Sequence, residues 1–117
     1  DMAGTVLMRN LVRDDVVREL TYTARVFSAE EALGYGLVTR IVADPHAAAL
    51  TSAREIANRS PDAIRAAKRL LNLASDCDAA TGLAAETAEQ SMLLGTPNNV
   101  EAVRANLESR LPHWSRA

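Results

Sequence analysis

The first five residues hold the clearest candidate for chemistry, an acidic side chain followed by small or apolar residues, Asp1-Met2-Ala3-Gly4-Thr5. A carboxylate flanked by Met2 and Ala3 can have a raised pKa, and a carboxyl group tuned in this way is suited to moving a proton. The alternative role is structural, because an aspartate can cap the helix that follows it. The sequence leaves both roles of Asp1 open.

The remaining reactive side chains do not form a recognisable site. His46 and His113 are far apart with no ligand cluster around them, so the sequence predicts no metal site. Cys77 is the single cysteine and cannot form an internal disulfide, which favours a reducing compartment, and we predict a cytoplasmic protein. Five glutamates fall on predicted helices, and we interpret them as solvated rather than catalytic: Glu30, Glu31, Glu86, Glu89 and Glu101.

One stretch, Phe27 to Val42, is organised more clearly than the rest of the chain. Ser28 and Glu31 have the spacing of a capping box, and Gly36 is suited to the left-handed residue that closes a helix. The apolar, β-branched segment 38–42 then predicts a short strand. A single strand cannot satisfy its own backbone groups, so the sequence indicates part of a larger fold.

Helices account for most of the remaining chain. We predict mainly α structure with one short β-strand, and the helices have the following bounds: from Asp14 as N-cap to about Tyr22, 46–58, Pro61–Ala74, 79–94, and from Pro97 until Pro112 ends the last helix.

Composition excludes several classes of protein. The chain has 117 residues, enough for one domain, with 48% hydrophobic and 24% charged residues. A net charge of -2 and 3% aromatic residues argue against a nucleic-acid surface. No apolar run approaches the ~20 residues of a membrane span. Because the sequence begins at Asp1 rather than at a methionine, we expect that upstream residues are not included.

Four blocks of residues, in order, resemble the crotonase superfamily of enoyl-CoA hydratases and isomerases. Asp1 to Thr5 stands where the family usually carries P-G-A-G-G-T, with Gly4 and Thr5 in register. The other blocks are F-S-A-E-E-A-L-x-x-G-L-V-x-R-I-V at 27–42, S-P-x-A-x-x-x-x-K at 60–68 and L-E-x-R-x-P at 107–112. Together they resemble the C-terminal helical part of the crotonase α/β spiral fold.

The resemblance implies two regions and a set of partners. Residues 1–43 would end the spiral core, with helices and strand 38–42, and residues 44–117 would form a C-terminal helical oligomerisation region. The implied partners are an acyl-CoA substrate, the missing N-terminal part of the enzyme and further copies in a homotrimer or hexamer. Two departures stand out: Met2 and Ala3 make the first turn bulkier, and Ser109 replaces a lysine that helps bind the CoA phosphate in some members.

The resemblance also implies a reaction. In this family two backbone N–H groups polarise a thioester carbonyl and stabilise an enolate, and hydratases add two glutamates as acid and base. Those groups would precede Asp1, and the CoA thioester is substrate, so no cofactor is expected. Hydratase is the default activity.

Two alternatives to hydratase remain open. Some isomerases of the superfamily carry P-D-x-G-G-T, which would make Asp1 catalytic in moving a double bond, with Met2, Ala3 and Gly4 as substrate-binding residues. The alternative from a different class is a non-catalytic helical interaction module, in which segment 38–42 would need no partner strands.

Overall fold

The structure is a computed structural model that describes residues 3–115, and over that range it contains helices and no strand. The mainly α class is therefore confirmed. The helices are α1 (Gly4–Met8), α2 (Asp14–Thr23), α3 (Ala29–Tyr35), α4 (Pro45–Ala57), α5 (Pro61–Ala74), α6 (Ala79–Leu93) and α7 (Pro97–Leu107). The chain divides into two compact units, residues 1–48 and 49–117.

The strand predicted for 38–42 is wrong for this structure. The segment is irregular, and Val38, Ile41 and Val42 remain 38–43% exposed. A strand exists only when a neighbouring strand pairs with its backbone, and residues 3–115 supply none. The β-branched pattern that predicted the strand reflects a side-chain preference for extended backbone. That preference does not produce a sheet unless a second strand is present to pair with the first.

The predicted helix starts are largely confirmed, because their caps act over three residues. The Glu31 amide donates to Ser28 Oγ at 3.2 Å, and the Ser28 amide donates to Glu31 Oε2 at 2.9 Å, which completes the capping box. Helices α5, α6 and α7 also have side-chain caps, in which an oxygen of the N-cap residue accepts a hydrogen bond from the amide three positions later. The capping residues are Ser60, Asp78 and Thr96.

Two predicted boundaries are corrected. Asp14 is the first residue of α2 rather than its N-cap, a position that Arg13 occupies without a side-chain cap. The Asp14 carboxylate instead accepts a 2.7 Å hydrogen bond from Arg18 Nε one turn later. The last helix ends at Leu107 and not at Pro112, because Ser109 adopts a left-handed conformation with φ 52°.

Each unit has only a small core. The first buries Val12, Leu20 and Ala32, and the second buries Ala66, Ala105 and the polar Asn98. The accessible surface is 9217 Å², whereas two separately compact globules of these sizes would together expose about 7,500 Å². The units therefore leave apolar surface uncovered that a self-contained domain would bury.

Within the second unit, α5 and α6 pack on one another as a helical hairpin. Arg69 of α5 donates from Nε and Nη2 to the two carboxylate oxygens of Glu89 on α6, at 2.6 and 2.7 Å. This two-pronged contact sets the register of the hairpin, because a planar guanidinium matches a carboxylate in only a few orientations.

Candidate functional site

Of the N-terminal residues Asp1 to Gly4 singled out by the sequence, the structure describes Ala3 and Gly4. Asp1 and Met2 lie outside the described residues, so the catalytic and capping roles of Asp1 and the substrate-binding role of Met2 stay predictions. Ala3 and Gly4 are described. Ala3 directly precedes α1 with φ 66° and ψ 3°, and its carbonyl accepts from the amide of Leu7 at 2.9 Å.

The conformation of Ala3 gives a physical reason for the glycine that resembling sequences carry at this position. A left-handed backbone costs a residue with a Cβ about 1–2 kcal/mol, and a glycine avoids that cost. Ala3 is exposed and therefore has room for its methyl group. The departure from the usual pattern is thus tolerated sterically, although the backbone is strained.

A cleft of about 270 Å³ lies beside this turn, between α1 and α2, and both charged and apolar side chains line it. It is lined by Thr5, Arg9, Asp14, Val17, Arg18, Thr21 and Tyr22. Arg18 donates from Nε to Asp14 and from Nη1 to the Tyr22 hydroxyl at 3.3 Å, and both contacts raise the pKa of the Arg18 guanidinium. Because Asp14 offsets the charge of Arg18, the cleft offers hydrogen-bonding groups rather than an acid–base pair.

The Asp14–Arg18–Tyr22 series was not predicted from the sequence. Its signal was present, since the three residues recur at i, i+4 and i+8 and so share one face of a helix.

Two further clefts have linings rich in apolar residues. One, of about 410 Å³, is lined in the first unit by Leu11, Val12, Arg13, Val16, Gly34 and Tyr35. The other, of about 380 Å³, lies between α5 and α6 in the second unit and is lined by Leu70, Leu71, Leu73, Ala74, Ala79, Gly82, Leu83 and Glu86. Surfaces of this kind accommodate hydrocarbon or an apolar protein face, because both remove the lining from water.

Four of the five helical glutamates have structural partners. Hydrogen bonds from its own backbone amide and from the Ser28 hydroxyl lower the pKa of Glu30. The Ser28 amide and then Arg25 lower the pKa of Glu31, and Arg69 lowers the pKa of Glu89. Hydrogen bonds from Arg110 and from the His113 amide lower the pKa of Glu101 to about 2. A general acid needs the opposite shift, so the lowered pKa suits none of the four to that role, and the interpretation of the glutamates as non-catalytic stays a prediction.

Neither a metal-ligand cluster nor a membrane-spanning helix is found among residues 3–115. Within that range no three His, Cys, Asp or Glu side chains cluster closely enough to hold a metal ion. Cys77 is half-buried, and its Sγ lies 3.6 Å from where a Cβ on Gly82 would lie. None of the helices in the described part of the chain combines the length and apolar character needed to cross a bilayer.

Comparison with known proteins places the chain in one family. The enoyl-CoA hydratase/isomerase family model matches residues 1–117. The chain is 32% identical over 111 residues to a short-chain-enoyl-CoA hydratase of Clostridium acetobutylicum, covering 92% of this chain and 42% of that protein. It is 37% identical over 98 residues to the mitochondrial Delta(3,5)-Delta(2,4)-dienoyl-CoA isomerase of Homo sapiens, covering 81% of this chain and 30% of that protein.

The backbone agrees with solved structures as well. The crystal structure of a probable enoyl-CoA hydratase/isomerase from Mycobacterium abscessus superposes with a TM-score of 0.93 at 34% identity, covering 100% of this chain and 47% of that one. The chain thus spans less than half the length of these relatives. With a family match over its whole length, the chain belongs to the enoyl-CoA hydratase/isomerase family of the crotonase superfamily.

Proposed function

We propose that these residues are the C-terminal portion of an enzyme that acts on acyl-CoA thioesters through a stabilised enolate. The observation that carries the proposal is the backbone match over the whole chain at a TM-score of 0.93, against only 47% of the matched structure. The backbone N–H groups that polarise the thioester carbonyl then lie in a part of the enzyme beyond these residues.

The apolar surface supports this placement. Leu71 is 73% exposed and Leu83 is 63% exposed, and both line the cleft between α5 and α6. We assign such faces to the wall of the acyl pocket and to contacts between subunits of a trimer or hexamer. Burying two such leucines stabilises an assembly by about 1.5–3 kcal/mol each, which gives the chain a reason to assemble.

Two reactions are compatible with an enolate. In hydration, the oxygen of water bonds to the β-carbon of an enoyl thioester and a proton is added to the α-carbon. In isomerisation, a base removes a proton from one carbon and returns it to another, so the double bond moves and no atom is gained. We propose hydration as the activity, with isomerisation through Asp1 as the second candidate because of the 37% identity to a dienoyl-CoA isomerase.

Product mass separates the two reactions. The full-length enzyme is incubated with crotonyl-CoA and, separately, with a 3-enoyl-CoA, and the products are analysed by chromatography and mass spectrometry. Hydration adds the mass of one water, whereas isomerisation leaves the mass unchanged. If neither thioester is converted, the proposed function is contradicted.

Substitution of Asp1 tests its role in the same assay. Asp1→Asn should abolish isomerisation and leave hydration intact if Asp1 moves the proton. The control is Asp15→Asn at the start of α2, where the carboxylate is exposed and pairs with Arg13. Equal activity of Asp1→Asn and the control on the 3-enoyl-CoA would remove Asp1 from the mechanism.

The 117-residue chain by itself should not turn over crotonyl-CoA. Measurable hydration by the isolated chain would contradict the placement of the carbonyl-polarising groups outside it.

A further inference from the structure

The segment after α7 folds back on that helix and is held there by side chains. We call residues 111–115 the C-terminal strap. Asn98, only 4% exposed, accepts from the Ser115 amide at 2.8 Å and donates to the Ser115 carbonyl at 3.2 Å. Its amide nitrogen also donates to Asp62 Oδ2 on α5 at 2.7 Å. One buried side chain thus joins the strap, α7 and α5, and all three contacts use its amide group in one orientation.

A second residue of α7 holds the strap two positions earlier. Glu101 accepts a 2.7 Å hydrogen bond from the His113 amide. It also accepts from Arg110 Nη1 at 2.6 Å and from Arg110 Nη2 at 3.1 Å. Residues three apart share a helix face, and Asn98 and Glu101 therefore present paired acceptors to the amides of residues 115 and 113.

The turn into the strap is closed by the backbone. The Arg110 amide donates to the Ala105 carbonyl at 3.0 Å, and the Ser109 amide donates to the Asn106 carbonyl at 3.2 Å. This is the Schellman pattern, with Ser109 as its left-handed residue. The turn reverses the chain direction and places the Arg110 side chain beside Glu101.

Apolar packing contributes less to the strap than these hydrogen bonds. Leu111 is 74% exposed, and Trp114 is only partly buried. The indole N–H of Trp114 is shielded from water and has no hydrogen-bond partner among the residues that the structure describes. A buried donor without an acceptor disfavours the closed strap, so the closed state depends on Asn98 and Glu101.

We propose that the C-terminal strap opens and closes as a local unit, with Asn98 and Glu101 of α7 as its latch. When it opens, the strap leaves Asn98 and Glu101 and gives water access to Trp114. The proposal rests only on contacts among residues 62–115 and is independent of the reaction that the enzyme catalyses.

Hydrogen exchange of the intact protein, read by mass spectrometry on peptides covering residues 109–115, tests the latch. In the unmodified protein the amides of His113 and Ser115 should be protected. Asn98→Ala and Glu101→Ala should each speed their exchange by about tenfold or more, with α5 and α6 unchanged. Matched controls are Asn106→Ala on the same helix and Glu55→Ala on α4, both exposed positions.

Trp114 gives an independent reading, since it is the only tryptophan of the 117 residues. Iodide should quench its fluorescence more strongly in the two latch variants than in the two controls.

Two outcomes would overturn the proposal. One is unprotected amides at 113 and 115 in the unmodified protein. The other is exchange that rises equally in α5 and α6, which would make the residues supports of the whole unit. If Asn98→Ala fails to fold, the exchange of Glu101→Ala tests the proposal by itself, because the Glu101 side chain lies nearer the surface.

Discussion

Two helices of this chain end in the same hydrogen-bond pattern, yet the chain leaves them differently. At the end of α3 the Leu37 amide donates to the Ala32 carbonyl at 2.9 Å, and the left-handed residue is Gly36 with φ 85°. At the end of α7 the equivalent residue is Ser109, with φ 52°. Beyond Gly36 the chain is irregular with half-exposed apolar side chains, whereas beyond Ser109 it returns to its own helix as the C-terminal strap.

The difference shows that a local motif determines where a helix ends, whereas the surrounding structure determines which residue the turn accepts and where the chain continues. Both Schellman patterns stop a helix, because they satisfy its last carbonyls within six residues. The Gly36 turn is also packed against backbone, since a Cβ there would lie 2.9 Å from the Leu11 carbonyl oxygen. The Ser109 turn is exposed and accepts a side chain. Glycine is therefore required at the first turn by its neighbour and only preferred at the second by its dihedral angle.

The largest expected effect is that of Gly36→Ala. The left-handed backbone and the contact with the Leu11 carbonyl should together lower the free energy of unfolding by about 2–3 kcal/mol, measured by urea denaturation. Gly95→Ala is the matched control, because Gly95 also has a positive φ of 77° but nothing lies within 4 Å of its Cβ position. That variant should lose only about 1 kcal/mol. Equal losses at the two positions would show that the Leu11 contact contributes nothing.

A smaller effect of opposite sign is expected for Ser109→Gly. Relief of the left-handed strain, less the extra entropy of glycine in the unfolded chain, should raise the free energy of unfolding by about 0.5–1 kcal/mol. Gly34→Ala tests the converse case, because Gly34 lies inside α3 with open space around its Cβ position, and alanine there should also stabilise. A destabilised Ser109→Gly variant would mean that the serine side chain supports the turn.

The smallest expected effect is the decrease in the free energy of unfolding at low pH that follows from protonation of Glu101. The pKa of Glu101 is lowered from 4.5 to about 2, so the folded state binds its proton less readily than the unfolded state does. The stabilisation from this carboxylate is therefore complete above pH 4.5 and is lost as the pH falls towards 2. Urea denaturation of the unmodified protein and of Glu101→Gln across that range measures it, and the difference between them should shrink as the pH falls. A constant difference would mean that Glu101 does not hold Arg110 as a charged group.

The candidate site was only partly predictable. The register of Ala3 in the family motif followed from the sequence, whereas helix α1 after it was not among the predicted helices. The left-handed backbone at Ala3 explains why glycine is usual there. The partners of Glu89 and Glu101 were not predictable, because Arg69 lies twenty residues before Glu89 and Arg110 lies nine residues after Glu101. Spacing within one helix cannot reveal contacts that depend on how helices pack or where a tail folds back.

The sequence by itself determined the starts of α3, α5, α6 and α7 and the end of α3, because a cap or a Schellman turn is completed by groups three to five residues apart. It also determined the family, through four short blocks in order. Only the tertiary structure decided that segment 38–42 is irregular and that the C-terminal strap folds back on α7. Both depend on partners that are distant in the chain: the first lacks a pairing strand in residues 3–115, and the second has Asn98 and Glu101.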